Sequence, residues 1–490
     1  MKRFTIAVIS ILITLQAFPQ HEPQNYVPET DSLVLEKLEQ WQNLKFGLLM
    51  HWGAYSQWGI VESWSICPED YGWCERKKGS NPDNYFEYVK EYENLKTTFN
   101  PVKFNPEKWA KAAKNAGMKY VVFTTKHHDG FSMFDTQLTD YKITDSACPF
   151  HINPKANITK EVFRAFRSEG LWTGAYFSKP DWHNDNYWDP YFPPKDRNVN
   201  YDPEEYPERW EKFVQFTQGQ IIELMSDYGK VDILWLDGGW VAKQSKEDME
   251  DFYSERAGKS KSGFIKSGIV NQDIRMDELV EKARQKQPGL IVVDRAVEGK
   301  NQNYLTPENQ VPKEALPYPW ESCIIAGGGW SWVPNAKYMS GHKAINMLVD
   351  IVAKGGNLLL NIAPSPEGNW DEGAYDLLNE IGKWMKINSE AIYNTNAISP
   401  YKEKNICFTQ NGNSIYAIYL MEESLNELPA EIKISSFESS SKTKIKLLGT
   451  GKKLKWKQVK DSIIIHIPEK YQNNTPSKYA VVFEISSVKL

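Results

Sequence analysis

The chain has 490 residues, more than a single core of ordinary size organises, so a large domain with a smaller partner is the starting expectation. Hydrophobic residues make up 41% and charged residues 25%, the balance of a globular protein rather than a disordered or fibrous one. A formal charge of −5 gives no reason to expect a nucleic acid or an anionic membrane as partner.

At the N-terminus Lys2 and Arg3 precede a mostly apolar run over residues 4–15. That run is too short to anchor in a bilayer and has the layout of a secretory signal, with cleavage expected near Gln20. No Cys follows it to carry a lipid, and no later stretch approaches ~20 apolar residues. The expectation is an exported protein, periplasmic or extracellular, soluble after cleavage and without a membrane partner. Cys67, Cys74, Cys148, Cys323 and Cys407 are too few for a disulfide scaffold and are not spaced for zinc. Cys67 and Cys74 can pair in an oxidising compartment.

From about residue 45 to 365, helical stretches end in Gly and lead at once into apolar β-type runs. Residues 106–116 end at Gly117 before 120–125, and 160–169 end at Gly170 before 173–178. Residues 208–228 end at Gly229 before 231–236, and 276–288 end at Gly289 before 290–293. Residues 45–49 and 357–362 read as further strands. Glycine after a helix is a left-handed cap, and runs without polar alternation suit parallel strands covered on both faces. Residues 21–395 are therefore expected to form a (β/α)8-like, TIM-type barrel. A doubly wound open sheet is the competing architecture, but no G-x-G-x-x-G opens a helix after a strand. Gly258-Lys259-Ser260 imitates a phosphate loop with Tyr253 where its first Gly belongs, and Gly327-Gly328-Gly329 lacks a following Lys.

Residues 396–490 change character, with short alternating runs at 414–420, 430–434, 442–448, 462–467 and 479–485 between polar turns. This is the pattern of an antiparallel β-sandwich, read as an accessory domain that docks firmly because no long linker precedes it.

Barrel chemistry sits where strands end. The strand ends read His51-Trp52-Gly53, Lys126-His127-His128-Asp129-Gly130, Ser178-Lys179-Pro180-Asp181-Trp182-His183, Asp237-Gly238-Gly239-Trp240 and Asp294-Arg295. Four of the eight His fall there. Asp237 follows a buried-strand pattern and is expected to be held rigidly, with the two glycines leaving open space before its carboxylate. That arrangement suits the nucleophile of a glycosidase, although an Asp at this place can also simply cap the next helix. The His residues together with Asp129 raise a metal-dependent hydrolase as an alternative. Without H-x-H or H-E-x-x-H, neutral imidazoles donating to sugar hydroxyls explain them better. The 13% aromatic content fits a sugar site lined with flat rings as well as a large core.

Four segments then occur in order: Phe46-Gly47-Leu48-Leu49-Met50-His51-Trp52-Gly53, Lys126-His127-His128-Asp129-Gly130-Phe131, Leu234-Trp235-Leu236-Asp237 and Gly355-Gly356-Asn357-Leu358-Leu359-Leu360-Asn361. With Ser389-Glu390-Ala391-Ile392-Tyr393 they resemble the motif set of glycoside hydrolase family 29, the α-L-fucosidases, over roughly residues 40 to 395. The resemblance implies a barrel followed by a β-sandwich and a retaining exo-acting enzyme that releases L-fucose from fucosylated glycans, with no metal or organic cofactor. It implies Asp237 as nucleophile, with His51, His127, His128, Tyr176, Trp235 and Arg295 around the sugar and Trp330 under its methyl group. For the acid/base, Glu298, Glu308, Glu314 and Glu321 are candidates. Glu308 is chosen for its place beyond Arg295, and Glu321 is the runner-up, better suited to a structural salt bridge. Family members often carry an adjacent Glu-Trp after the first strand. Here Glu62-Ser63-Trp64 and Glu69-Asp70-Tyr71-Gly72-Trp73 leave that pair unassigned. A related glycon such as α-L-galactose, or a non-catalytic saccharide-binding barrel, are the alternatives, and homo-oligomerisation is left open.

Overall fold

The computed structural model describes residues 26–260, 268–423 and 427–489. The expected signal segment, residues 1–20, lies outside the described residues.

Seven strands form one parallel sheet: β1 (Phe46–Met50), β2 (Tyr120–Lys126), β3 (Trp172–Ser178), β4 (Ile233–Asp237), β5 (Ile291–Asp294), β6 (Glu321–Ile325) and β7 (Asn357–Asn361). Their order is β5-β4-β3-β2-β1-β7-β6. Nearly every residue in them is buried, as the missing alternation requires. The helices between them start and stop on local signals. Asn105 caps Pro106–Ala116 by accepting from the Lys108 N–H, Pro106 presets the first turn, and Gly117 ends it at φ 93°. At Gly47, beside Tyr120 in the β1–β2 register, a Cβ would run into the tyrosine ring.

The barrel departs from eight regular strands at one place. Segment 302–309 runs between the sheet edges β5 and β6 and bonds to both. Asn303 N–H donates to the Val292 carbonyl at 2.9 Å, Glu321 N–H to Leu305 at 2.8 Å and Cys323 N–H to Pro307 at 3.0 Å. This irregular stave takes the eighth position, and among the described residues no helix separates it from β5 or β6. Pro307, within it, has no N–H to give a ladder.

The barrel interior is a distinct cluster that includes Trp41, Tyr120, Val122, Tyr176, Trp235, Tyr304 and Leu359. Glu321 lies inside it at the start of β6, accepting from the hydroxyls of Tyr120 and Tyr304. Beyond Asn396, where β8 (Asn396–Glu403) begins, come two antiparallel sheets of six and three strands. They enclose their own core of Ile, Leu, Val and Phe. The larger sheet packs on the barrel helices, with Trp384 Nε1 donating to the Ala480 carbonyl at 2.8 Å. No helix among the described residues is long and apolar enough to cross a membrane.

Candidate active site

Asp237 is the last residue of β4, and both its oxygens are held. Oδ1 accepts from the Gly238 N–H at 2.8 Å and from Arg295 Nη1 at 3.1 Å, while Oδ2 accepts from the Tyr176 hydroxyl at 2.6 Å. His128 Nε2 stands 4.0 Å from Oδ2. Burial works to raise the Asp237 pKa, but the Arg295 cation and the Tyr176 hydrogen bond outweigh it and keep the group far below the ordinary carboxylate range. The glycines that follow leave no room for a side chain of their own. Gly238 sits at φ 86° with a Cβ position blocked by Pro180, and a Cβ at Gly239 would meet the Arg295 carbonyl oxygen at 2.8 Å. They are close-packing positions at the turn.

Arg295, directly after β5, reaches a second carboxylate. Its Nη2 pairs with Glu308 Oε2, and Glu308 Oε1 accepts from Trp330 Nε1 at 3.1 Å. Glu308 belongs to the irregular stave, where it bridges to Cys323 of β6, and its side chain is 31% exposed. Glu321, by contrast, is fully buried at the opposite end of the strands from Asp237. Burial pushes its pKa up to about 7 despite the two tyrosine donors. Its role is structural, but its partners among the described residues are tyrosine hydroxyls rather than the cation of the salt bridge expected of it.

The three histidines gather on the Asp237 side. Strand β2 ends at Lys126, and the chain then turns, with Gly130 N–H on the His127 carbonyl at 3.0 Å. The rings of His127 and His128 therefore lie only 4.1 Å apart instead of pointing to opposite faces. His51 Nδ1 is 3.1 Å from Asn361 Oδ1, and His127 Nδ1 is 2.5 Å from the Ser63 hydroxyl. Burial is the main cause that lowers all three, His51 to about 4, His128 to about 3 and His127 well below its usual value. All are neutral near neutral pH, each a donor and an acceptor. Tyr176 stacks on Trp235 at 5.2 Å, and the Arg295 guanidinium lies 5.3 Å over the Trp235 ring, so Trp235 backs the other two. Trp330 lies 5.3 Å from His51 on the Glu308 side.

Sequence reasoning left several neighbours without a role. Glu62, fully buried, accepts from the Ser331 N–H at 2.8 Å, and its pKa is raised to about 8 by burial and by the charges of Glu308 and Asp237. Trp64 packs 5.2 Å from His128 and 5.9 Å from Trp240, whereas Trp73 stacks on Tyr71 and Glu69 forks onto Arg197. Asn361 also donates to the Trp330 carbonyl at 2.8 Å, tying β7 to the loop that carries that ring. Its signal was available, as the last residue of a strand motif. Among the described residues one trio, His127, His128 and Asp237, brings potential ligand atoms within 4.8 Å of one another. Arg295 already gives that carboxylate a positive partner, so the trio reads as a hydrogen-bonding set beside an anion.

Comparisons with known proteins agree with this geometry. Residues 13–390 match the family described as Alpha-L-fucosidase, and residues 400–486 match the Alpha-L-fucosidase C-terminal domain. The chain is similar to tissue alpha-L-fucosidase of Homo sapiens, 26% identical over 95% of this chain and 93% of the relative. Among solved structures it is similar to alpha-L-fucosidase isoenzyme 1 from Paenibacillus thiaminolyticus, 27% identical with a TM-score of 0.72, covering 94% of this chain and 100% of that one. It is also similar to the Thermotoga maritima alpha-fucosidase in complex with a mechanism based inhibitor, 26% identical with a TM-score of 0.69 over 94% and 100%.

Proposed function

This chain belongs to the α-L-fucosidase family of glycoside hydrolases, and we propose that it is a retaining, exo-acting member that works by double displacement. Asp237 attacks C1 of a terminal α-L-fucoside while Glu308 protonates the departing glycosidic oxygen. The resulting fucosyl-enzyme ester is opened by water that Glu308 deprotonates, and L-fucose leaves with its anomeric configuration retained.

The observation that carries this reading is the guanidinium of Arg295, which joins the two carboxylates at the barrel mouth. One of them, Asp237, is kept anionic by its neighbours, as an attacking oxygen must be. The other is the more exposed and lies toward solvent, where a leaving group departs. The neutral histidines supply donors and acceptors for ring hydroxyls, and Trp330 supplies an apolar face for a methyl group. The Thermotoga maritima relative, solved with fucose and with a mechanism based inhibitor, supports the same use of the site.

Export through the N-terminal segment, with cleavage near Gln20, is part of the proposal and accords with a glycan substrate outside the cytoplasm. The test is covalent trapping with a slow 2-fluorinated fucosyl donor, followed by peptide mapping. Label on Asp237 is expected, and label on any other side chain ends the scheme. Running aryl α-L-fucoside against aryl α-L-galactoside in the same assay decides the glycon.

A further inference from the structure

Beyond β3 the chain continues as Lys179-Pro180-Asp181, and both charged side chains in it are buried. Asp181 takes Lys126 of β2, Nζ to Oδ2 at 3.0 Å. Lys179 takes Asp294 of β5, Nζ to Oδ1 at 2.5 Å, with the two side chains 0% and 3% exposed. Neither pair takes part in the proposed chemistry.

The second pair meets the strand that carries Asp237. Alternation along β4 puts Ile233 and Trp235 in the barrel interior and Leu234 and Leu236 on the outer face. On β5, Val293 faces inward and Val292 outward, so Asp294 falls on the outer face. On β3, Tyr176 faces inward and Phe177 outward, so Lys179 falls on the outer face as well. Strands β3 and β5 flank β4, two strand spacings or roughly 10 Å apart. The lysine stem and the aspartate bridge that gap across the back of β4, close to Leu236, the register partner of Asp294. Backbone bonds run through the same residues. Lys179 N–H donates to the Asp237 carbonyl at 2.9 Å, and Arg295 N–H, next to Asp294, donates to the Leu236 carbonyl at 3.1 Å.

We infer that Lys179 and Asp294 are positioning residues: their ion pair ties β3 to β5 behind β4 and so fixes the Asp237 carboxylate against the Arg295 guanidinium on the inner face. The inference rests on the role proposed for Asp237. A buried ion pair contributes little stability beyond apolar side chains of the same volume. What it supplies here is direction, since a charge-assisted bond holds one length and one line where packed methyl groups slide. An attacking oxygen misplaced by an ångström costs on the order of 10²-fold in rate, so the strand beneath it is where such a constraint acts on chemistry.

The test removes both charges together, because a single substitution strands its partner in the interior. Lys179→Met/Asp294→Leu, close in shape to the parent pair, is made in the full chain, with Lys179→Gln/Asp294→Asn as a second variant. The control is Lys37→Met/Asp232→Asn, which breaks a largely buried pair of 2.8 Å at the opposite end of β4. Thermal melting checks folding, and kinetics are read on an aryl α-L-fucoside. A folded variant of the Lys179–Asp294 pair is expected to lose about fivefold or more in kcat with KM within about threefold, while the control keeps kcat within about twofold. A smaller loss, a loss carried in KM, a loss matched by the control, or failure of both variants to fold overturns the inference. The parent is first trapped with the 2-fluorinated fucosyl donor. Label away from Asp237 removes the proposed function and this inference with it, whereas label on Asp237 with kcat unaffected in the variants removes the inference alone.

Discussion

Arg295 stands 3.1 Å from Asp237, and this ion pair is made almost wholly out of solvent, with side chains 10% and 16% exposed. Removing one partner of an ion pair so placed leaves an uncompensated charge in a weakly screened site, which the remaining group relieves by shifting its ionisation. Replacing Arg295 with Met is expected to let burial prevail at Asp237 and raise its pKa. The kcat/KM profile of the parent should show no acid limb from Asp237 above about pH 4. The variant should gain a limb at higher pH and lose on the order of 10²-fold in kcat/KM at its optimum. A profile unchanged in shape would mean that Arg295 does not set the charge on Asp237.

Glu308 and Glu321 separate cleanly. Glu308→Gly is expected to lower kcat by roughly 10²–10⁴-fold, and azide should restore turnover by attacking the fucosyl-enzyme without needing a base. Glu321→Gln should keep kcat within a few-fold, because its carboxyl is bonded to Tyr120 and Tyr304 inside the barrel. Azide rescue at position 321 alone would reverse the assignment.

Glu321 should instead show in stability. A carboxyl raised from 4.5 to about 7 on folding favours the native state below the unfolded pKa, and that contribution is lost as pH rises toward 7. Glu321→Gln removes this dependence. Its stability relative to the parent should improve from pH 4 to pH 8 by up to about 3 kcal/mol. Denaturant melts at the two pH values measure it, and a constant difference would count against a raised pKa at Glu321.

The parts of this architecture that local chemistry announces were legible in the sequence. The helix Pro106–Ala116 is bounded by Asn105 and Gly117, and its limits were read to the residue. The strand ending at Asp237 was visible as an apolar run closed by an acid and two glycines. What escaped depends on contacts far apart in the chain. The stave at 302–309 has neither alternation nor a helical period, and it is ordered by bonds to Val292 on one side and Pro307–Cys323 on the other. Strand β6, which begins two residues after Pro319, lacks the preceding helix that marked its fellows. Glu62 could not be told from Glu69 as the acid of the Glu-Trp pair, because the partner that places it, Ser331, lies 269 residues away.

Trp64 and Trp73 were equivalent in sequence and are not equivalent in the fold. Trp64 touches His128, Trp182 and Trp240 at the site, while Trp73 stacks on Tyr71 at 4.7 Å. Trp64→Ala is expected to raise KM for an aryl fucoside about tenfold or more, with Trp73→Ala within about threefold of the parent. Equal losses from the two variants would mean that both rings reach the sugar.

Glu62 gives the sharpest pH test. Burial and the nearby charges of Glu308 and Asp237 place its pKa at about 8, so it is neutral through the acid and neutral range. Above that pH it becomes a third negative charge beside two carboxylates whose separate ionisation states the chemistry needs. The expected result is a basic limb of kcat/KM near pH 8. In Glu62→Gln, an uncharged side chain of the same shape that can still accept from Ser331, that limb should move to higher pH while activity at pH 6 falls by less than about tenfold. If the limb stays near pH 8 in the variant, its titration belongs to another group.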